Sequence, residues 1–135
     1  MRKRNYLFAF ISMAIAISLG ALGGHVLKEH LDGDQLDSFK TGVFYQIVHA
    51  LALIGLMNLS KSTKSKKFKN GIRLLKIGPI LFSGSIYLLA CQDLLMISPA
   101  AKFLGPITPI GGLLMIVGWI LLAVSIYHTE LSKDK

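Results

Sequence analysis

The stretch Thr41 to Ser60, TGVFYQIVHALALIGLMNLS, decides the fold. As an α-helix it would cross about one bilayer thickness. Its interior is apolar except for Tyr45, Gln46 and His49. An imidazole that faced hydrocarbon would leave its ring nitrogens without hydrogen-bond partners, which costs several kcal/mol. The stretch therefore predicts a membrane-spanning helix that turns His49 inward, toward other helices.

The two faces of this helix differ in polarity. Steps of three and four residues bring the small and polar side chains to one face, and the opposite face is entirely apolar. The first face holds Gly42, Tyr45, Gln46, His49, Ala52, Leu53 and Leu56, and the second holds Phe44, Ile47, Leu51 and Ile54. In a bilayer this division predicts protein contact on the first face and lipid contact on the second.

The composition indicates that most of the chain lies in the membrane. It has 135 residues, 53% of them hydrophobic, and a mean hydropathy of +0.57. Apolar runs of about twenty residues are long enough to span a bilayer. We predict four spans, at about 6–27, 41–60, 77–96 and 106–127. The predicted fold class is all-α, a single integral membrane four-helix bundle over residues 1–135.

The positive charge is concentrated at the ends of the spans. The formal net charge is +8, and the stretch 61–76 alone carries seven Lys and Arg residues and no acid. This distribution follows the positive-inside rule, so it predicts a cytoplasmic loop at 61–76 and a cytoplasmic N-terminus and C-terminus. It argues against nucleic acid as a partner. An alternative is lipid-headgroup recognition by the loop, with Phe68, Ile72 and Leu75 on the membrane surface.

Small residues recur at regular intervals in the first and fourth spans. Ser12, Ala16, Gly20 and Gly24 are four residues apart, whereas Gly111, Gly118 and Ser125 are seven apart. Such stripes allow close helix approach, so we predict helix-packing seams along both.

The acidic connection before the second span suggests a helix cap rather than a metal site. In LDGDQLD, Leu36 stands where a calcium loop would need a ligand, so no metal is expected. Asp32 or Asp34 is expected to cap the next helix. Cys91 is the only cysteine, so no intrachain disulfide can form. The sequence identifies no cofactor.

The polar residues in or near the spans are the candidate functional residues: His25, Tyr45, Gln46, His49, Ser83, Ser85, Tyr87 and Asp93. They form no recognisable enzyme motif, so we expect a protein that is not an enzyme. If Tyr45, Gln46 and His49 hydrogen-bond to Ser83, Ser85 or Tyr87, they fix helix pairing. The protein would then be a structural or accessory subunit, in contact with lipid and with a membrane protein partner or a second copy.

Two alternatives assign these residues to a ligand. The Tyr45, Gln46 and His49 side chains could line a path for a small molecule, an ion or a proton, because ionisable groups within membranes are often functional. His25 and His49 could instead hold haem or a metal, or His49 and Tyr45 a quinone.

Four motifs resemble a known family. They are GALGGHVL at 20–27, YQIVHALAL at 45–53, LFSGSIYLL at 81–89, and GPITPIGG at 105–112 followed by Gly118 and Trp119. Together they resemble the YgdD/YwdK-type family of small inner-membrane proteins, a domain-of-unknown-function family with mitochondrial relatives. The resemblance implies a four-helix fold in the bacterial inner (cytoplasmic) membrane, and it implies no activity.

Overall fold

The computed structural model describes residues 2–59 and 65–131, which form four long helices and two short helical segments. Each long helix is long and apolar enough to cross a membrane, which confirms the all-α, four-span fold. The long helices are α1 (Arg2–Gly24), α2 (Gly33–Leu59), α3 (Lys66–Ala90) and α5 (Ile107–Leu131). The short segments are a 3₁₀ turn (Leu27–Glu29) before α2 and the helix α4 (Ser98–Leu104) before α5.

Helices α2 and α3 form the centre of the bundle. Helix α1 packs on α2, and α5 packs on α3 over the most extensive contact in the protein. Within the described residues, no packing of similar extent joins α1 to α3 or to α5. Helix α1 is therefore held mainly by α2, and it packs much less closely on α3.

The core has two parts, one toward each end of the bundle. The larger contains residues of all four long helices: Ala9, Leu53, Leu56, Met57, Phe68, Ile72, Leu75, Met115 and Leu122. The smaller contains Leu27, Leu31, Phe39, Val43 and Ala90. The hypothesis that Phe68, Ile72 and Leu75 lie on the membrane surface is wrong, because all three are buried in the larger core.

Helix α3 begins and ends earlier than the predicted third span. The Ser65 hydroxyl accepts a hydrogen bond from the Phe68 backbone N–H at 3.0 Å and so caps the helix. Most of the stretch predicted as a loop is therefore helical. The end of the predicted span, at 91–96, consists of turns after Ala90. Residues 60–64 lie outside the described residues.

Helix α2 begins with a reciprocal cap. The Asp32 carboxylate accepts from the Gln35 backbone N–H at 2.8 Å, and Gln35 Oε1 accepts from the Asp32 backbone N–H at 3.1 Å. This pair is a capping box, which satisfies two backbone donors at the helix start. It confirms Asp32 as the cap of α2.

The seam between α3 and α5 depends on glycines of both helices. A Cβ at Gly111 would lie 2.9 Å from the Gly78 carbonyl oxygen, and one at Gly118 would lie 2.9 Å from the Leu75 side chain. On α3, a Cβ at Gly71 would lie 3.0 Å from the Gly118 carbonyl oxygen. Glycines seven residues apart on each helix thus let the two backbones approach closely.

The predicted small-residue stripe of α1 packs on α2 at Ala16 and Gly20 but not at Gly24. Ala16 is fully buried, and a Cβ at Gly20 would lie 3.3 Å from the Val43 side chain. Gly24, however, is exposed with open space around it, and Gly23 faces Phe39 instead. Gly24 is therefore not a packing residue. Exact four-residue steps rotate around a helix with 3.6 residues per turn, so a seam along a straight partner requires some three-residue steps.

One end of the bundle carries the basic residues. There the Tyr6 hydroxyl donates to Asn58 Oδ1 at 3.3 Å, Lys76 Nζ donates to Asn5 Oδ1 at 3.3 Å, and Ser65 pairs with Ser125. These contacts bring the start of α1, the end of α2, the start of α3 and the end of α5 together. The opposite end carries the acidic connection, the 3₁₀ turn and α4.

Cysteine labelling tests which end faces the cytoplasm. In a Cys91→Ala background, Lys67→Cys at the basic end should resist a membrane-impermeant maleimide in intact cells, whereas Gly33→Cys at the other end should react. Both positions are exposed, so access to solvent does not limit labelling. After permeabilisation both should react. The reverse pattern in intact cells would disprove a cytoplasmic location of both termini.

Candidate functional site: the intramembrane polar cluster

Gln46 is the centre of the first group of polar contacts. Its side-chain amide nitrogen donates to the Ser12 carbonyl oxygen at 2.9 Å and lies 3.4 Å from the Ser12 hydroxyl. Its Oε1 accepts from the Tyr87 hydroxyl at 2.7 Å. A single half-buried amide therefore connects α2 to both α1 and α3, with its donor and acceptor sides both in use.

His49 is the centre of the second group. It is only 5% exposed, which is the inward orientation that the pattern predicts. Its Nδ1 lies 2.8 Å from the Tyr45 carbonyl oxygen, and its Nε2 lies 3.3 Å from Trp119 Nε1. An indole N–H can only donate, so Nε2 must be the acceptor and Nδ1 the donor. These contacts fit the neutral imidazole and use both of its nitrogens.

Trp119, the partner of His49 on α5, was not among the predicted site residues. Tryptophan is enriched at membrane interfaces, yet Trp119 lies well inside the predicted fourth span. Within the hydrocarbon region no water is available, so an indole N–H there needs an acceptor from the protein. The position of the only tryptophan was therefore a signal for a polar partner on another helix.

The two buried serines of α3, Ser83 and Ser85, differ in their hydrogen bonding. The Ser85 hydroxyl pairs with the Thr108 hydroxyl at 2.7 Å and donates to the Phe82 carbonyl oxygen at 3.0 Å. This contact links α3 to α5 across the seam between them. Ser83 is 1% exposed, and its hydroxyl forms no hydrogen bond of normal geometry with the described residues.

The Tyr45 side chain lies at the edge of the cluster. It is 38% exposed, and its ring packs on Phe82 with centroids 4.7 Å apart. It also stacks on the His49 ring at 6.1 Å. Tyr45 thus contributes an apolar ring contact and a backbone carbonyl to the site.

His25 and Asp93 do not belong to the cluster. His25 is exposed just beyond α1, near the level where Gly23 meets Phe39. Phe39 precedes His49 by ten residues of α2, which corresponds to about 15 Å along the axis. Asp93 is exposed in the turns after α3, where it accepts from Ser98 at 2.9 Å. Both residues lie at the end of the bundle because their helices stop before them.

The arrangement does not favour a metal or haem centre. Within residues 2–59 and 65–131, no group of three or more His, Cys, Asp or Glu side chains could hold a metal ion. A haem iron at His49 would have to displace either Trp119 or the Tyr45 carbonyl. His25 and His49, the two proposed ligands, also lie too far apart along the bundle to bind the same iron.

A cleft of about 210 Å³ lies beside the cluster, where α1 and α3 both pack on α2. Helix α1 contributes Phe8, Ser12 and Ile15, and α2 contributes Gln46, His49, Ala50 and Leu53. Helix α3 contributes Leu75, Lys76, Pro79, Ile80 and Gly84. The cleft is mainly apolar and has one cationic residue, Lys76.

The fold and the site together define a four-span integral membrane protein whose buried polar side chains link neighbouring helices. The chain belongs to the family described as "Protein of unknown function (DUF423)", whose model matches residues 19–112. No solved structure matches the chain.

The relatives of the chain are bacterial membrane proteins. The UPF0382 inner membrane protein YgdD of Escherichia coli K12 is 36% identical over 118 residues, covering 87% of this chain and 85% of that protein. A UPF0382 membrane protein of Staphylococcus haemolyticus is 35% identical over 113 residues, covering 84% and 86% respectively. The chain is thus an inner-membrane protein of an uncharacterised family.

Proposed function

We propose that this protein is a non-enzymatic structural or accessory subunit of a complex in the bacterial inner membrane. The proposal rests on the hydrogen bonds that the polar side chains within the spans form between helices. Gln46 links three helices, His49 binds Trp119, and Ser85 binds Thr108. These residues hold the helices of the bundle together, as polar side chains within membrane spans commonly do.

The same pairing argues against an ion or proton path through the cluster. Such a path needs polar groups that can exchange partners along the membrane normal. Here the Gln46 and His49 groups form two separate sets of hydrogen bonds, and both nitrogens of His49 are occupied. A transporter that uses Tyr45, Gln46 and His49 would have to break these bonds during its cycle.

Helix α1 is the best candidate surface for a partner. Of the four spans it is the least buried within the protein. Its outer face carries large exposed apolar side chains: Leu7, Phe10, Ile11, Ile15, Ile17 and Leu22. Packing against a membrane protein or a second copy would give these side chains the close contacts that α1 lacks in the isolated chain.

Cross-linking in native membranes tests the proposal. A photo-reactive residue at Phe10 or Ile17 should give a protein adduct of discrete mass, and native mass spectrometry in mild detergent should detect the matching complex. A product of twice the chain mass would identify a second copy as the partner. The same residue at Leu113, exposed on α5, is the control and should give lipid adducts. A mass of 14.8 kDa alone, with lipid adducts from α1, would reject the accessory role.

A further inference from the structure

The cleft beside α1 opens sideways toward the membrane. Ile15 on α1 and Ile80 on α3 line it from opposite sides, and both side chains are also exposed on the surface of the bundle. Ala50 and Leu53 of α2 form its floor and are buried. Because α1 and α3 lack extensive mutual packing, a chain could enter between them from the bilayer.

Lys76 lies at the basic end of this cleft. Its ammonium group lies 4.7 Å from the centre of the Phe8 ring and donates to Asn5 Oδ1 at 3.3 Å. Among the described residues, no carboxylate pairs with it. The side chain is half-buried and adjoins the predicted start of the third span. A cation at this depth would gain from a bound anion.

Further positive charge lies on the same side of α3. Arg73 and Lys69 precede Lys76 by three and seven residues, and both are exposed. If the basic end faces the cytoplasm, these three residues lie at the level of the inner-leaflet phosphates.

The remaining wall of the cleft suits a hydrocarbon chain. Its polar members are already bonded, since Gln46 binds Ser12 and Tyr87, and His49 binds Tyr45 and Trp119. From Lys76 to Gly84, eight residues of α3 extend about 12 Å into the membrane.

We propose that this cleft binds one anionic phospholipid of the cytoplasmic leaflet. An acyl chain lies between α1 and α3 against Ala50, Pro79 and Gly84, and the phosphate contacts the Lys76 ammonium. Basic pockets between membrane helices on the cytoplasmic side commonly hold anionic headgroups. The proposal is independent of the accessory role, because the site would bind lipid whether or not α1 also contacts a partner.

Native mass spectrometry of the purified full-length protein tests this proposal. Phosphatidylglycerol and phosphatidylcholine with identical acyl chains are added separately in mild detergent. We expect one phosphatidylglycerol to be retained at concentrations where phosphatidylcholine is not. Inorganic phosphate, which lacks the chain, should not displace the lipid at millimolar concentration. Displacement by phosphate would show a free-anion site and overturn the proposal.

Two variants probe the two parts of the site. Gly84→Leu places a side chain in the cleft, and no heavy atom lies within 4 Å of the new Cβ, so the helix should form normally. It should weaken lipid retention at least about tenfold through lost chain contact. Lys76→Gln should weaken phosphatidylglycerol retention about fivefold and leave phosphatidylcholine retention unchanged.

Each variant has a matched control. Gly55→Leu adds the same side chain at a glycine of α2 that also has open space around it but lies outside the cleft. Lys67→Gln removes an exposed charge from the opposite side of α3. Both controls should retain lipid as the unmodified protein does, and equal melting temperatures would confirm that all four variants fold. Undiminished retention by folded Gly84→Leu, or equal retention of the two lipids by the unmodified protein, would overturn the proposal.

Discussion

Gly111→Ala should destabilise the protein by about 1–3 kcal/mol, although alanine is the better helix former. The new Cβ would lie 2.5 Å from the Phe82 backbone nitrogen and 2.9 Å from the Gly78 carbonyl oxygen. Neither atom belongs to a flexible side chain, so α3 and α5 would have to separate. The effect should be large because this seam is the most extensive helix contact in the protein.

The neighbouring glycine provides the control. At Gly112 a Cβ would lie 3.8 Å from the nearest atom of the Phe82 ring, which is ordinary van der Waals contact. Gly112→Ala should therefore leave stability unchanged or raise it by up to about 1 kcal/mol through helix propensity. Equilibrium unfolding of both variants in detergent measures the difference. Equal stabilities would show that α3 and α5 do not depend on backbone approach at Gly111.

The sequence revealed only one side of this seam. The seven-residue spacing of Gly111 and Gly118 predicts close packing, and a matching spacing of Gly71 and Gly78 lies on α3. Gly71 falls in the stretch that its charge identified as a loop. Charge density reports that one face of a segment is solvated, but it does not exclude a buried opposite face. Phe68 and its neighbours occupy that buried face.

The free-energy cost of an unpaired imidazole in hydrocarbon predicted the orientation of His49, but it could not identify the partner of His49. Helical periodicity determines which residues share a face of α2, whereas the neighbour of that face depends on how the helices are arranged.

The predicted faces of α2 were also partly wrong. Ile47 and Ile54 are half-buried against the cores, whereas Tyr45 is 38% exposed. Helix α2 contacts both α1 and α3, so its buried surface is wider than the predicted polar face.

His49→Leu should destabilise the protein by about 1–3 kcal/mol. Leucine has a similar bulk but removes both the donor to the Tyr45 carbonyl and the acceptor for the Trp119 indole. His49→Gln should cost less, because an amide can both donate and accept. Val48→Leu, at the exposed adjacent position, is the control and should change stability little. Unfolding in detergent measures all three variants.

A double-mutant cycle shows how much of this cost belongs to the contact between α2 and α5. Trp119→Phe keeps an aromatic ring and removes the N–H donor to His49. The Trp119 side chain is 41% exposed, so the smaller ring should cost little packing. Its effect should be smaller than that of His49→Leu, because the bond to the Tyr45 carbonyl survives. In the double variant the indole is no longer left without an acceptor, so the effects should be less than additive. The coupling should be about 0.6–1.7 kcal/mol, the range for hydrogen bonds between membrane helices. Strict additivity would show that His49 and Trp119 contribute to stability separately and that their hydrogen bond does not hold α2 to α5.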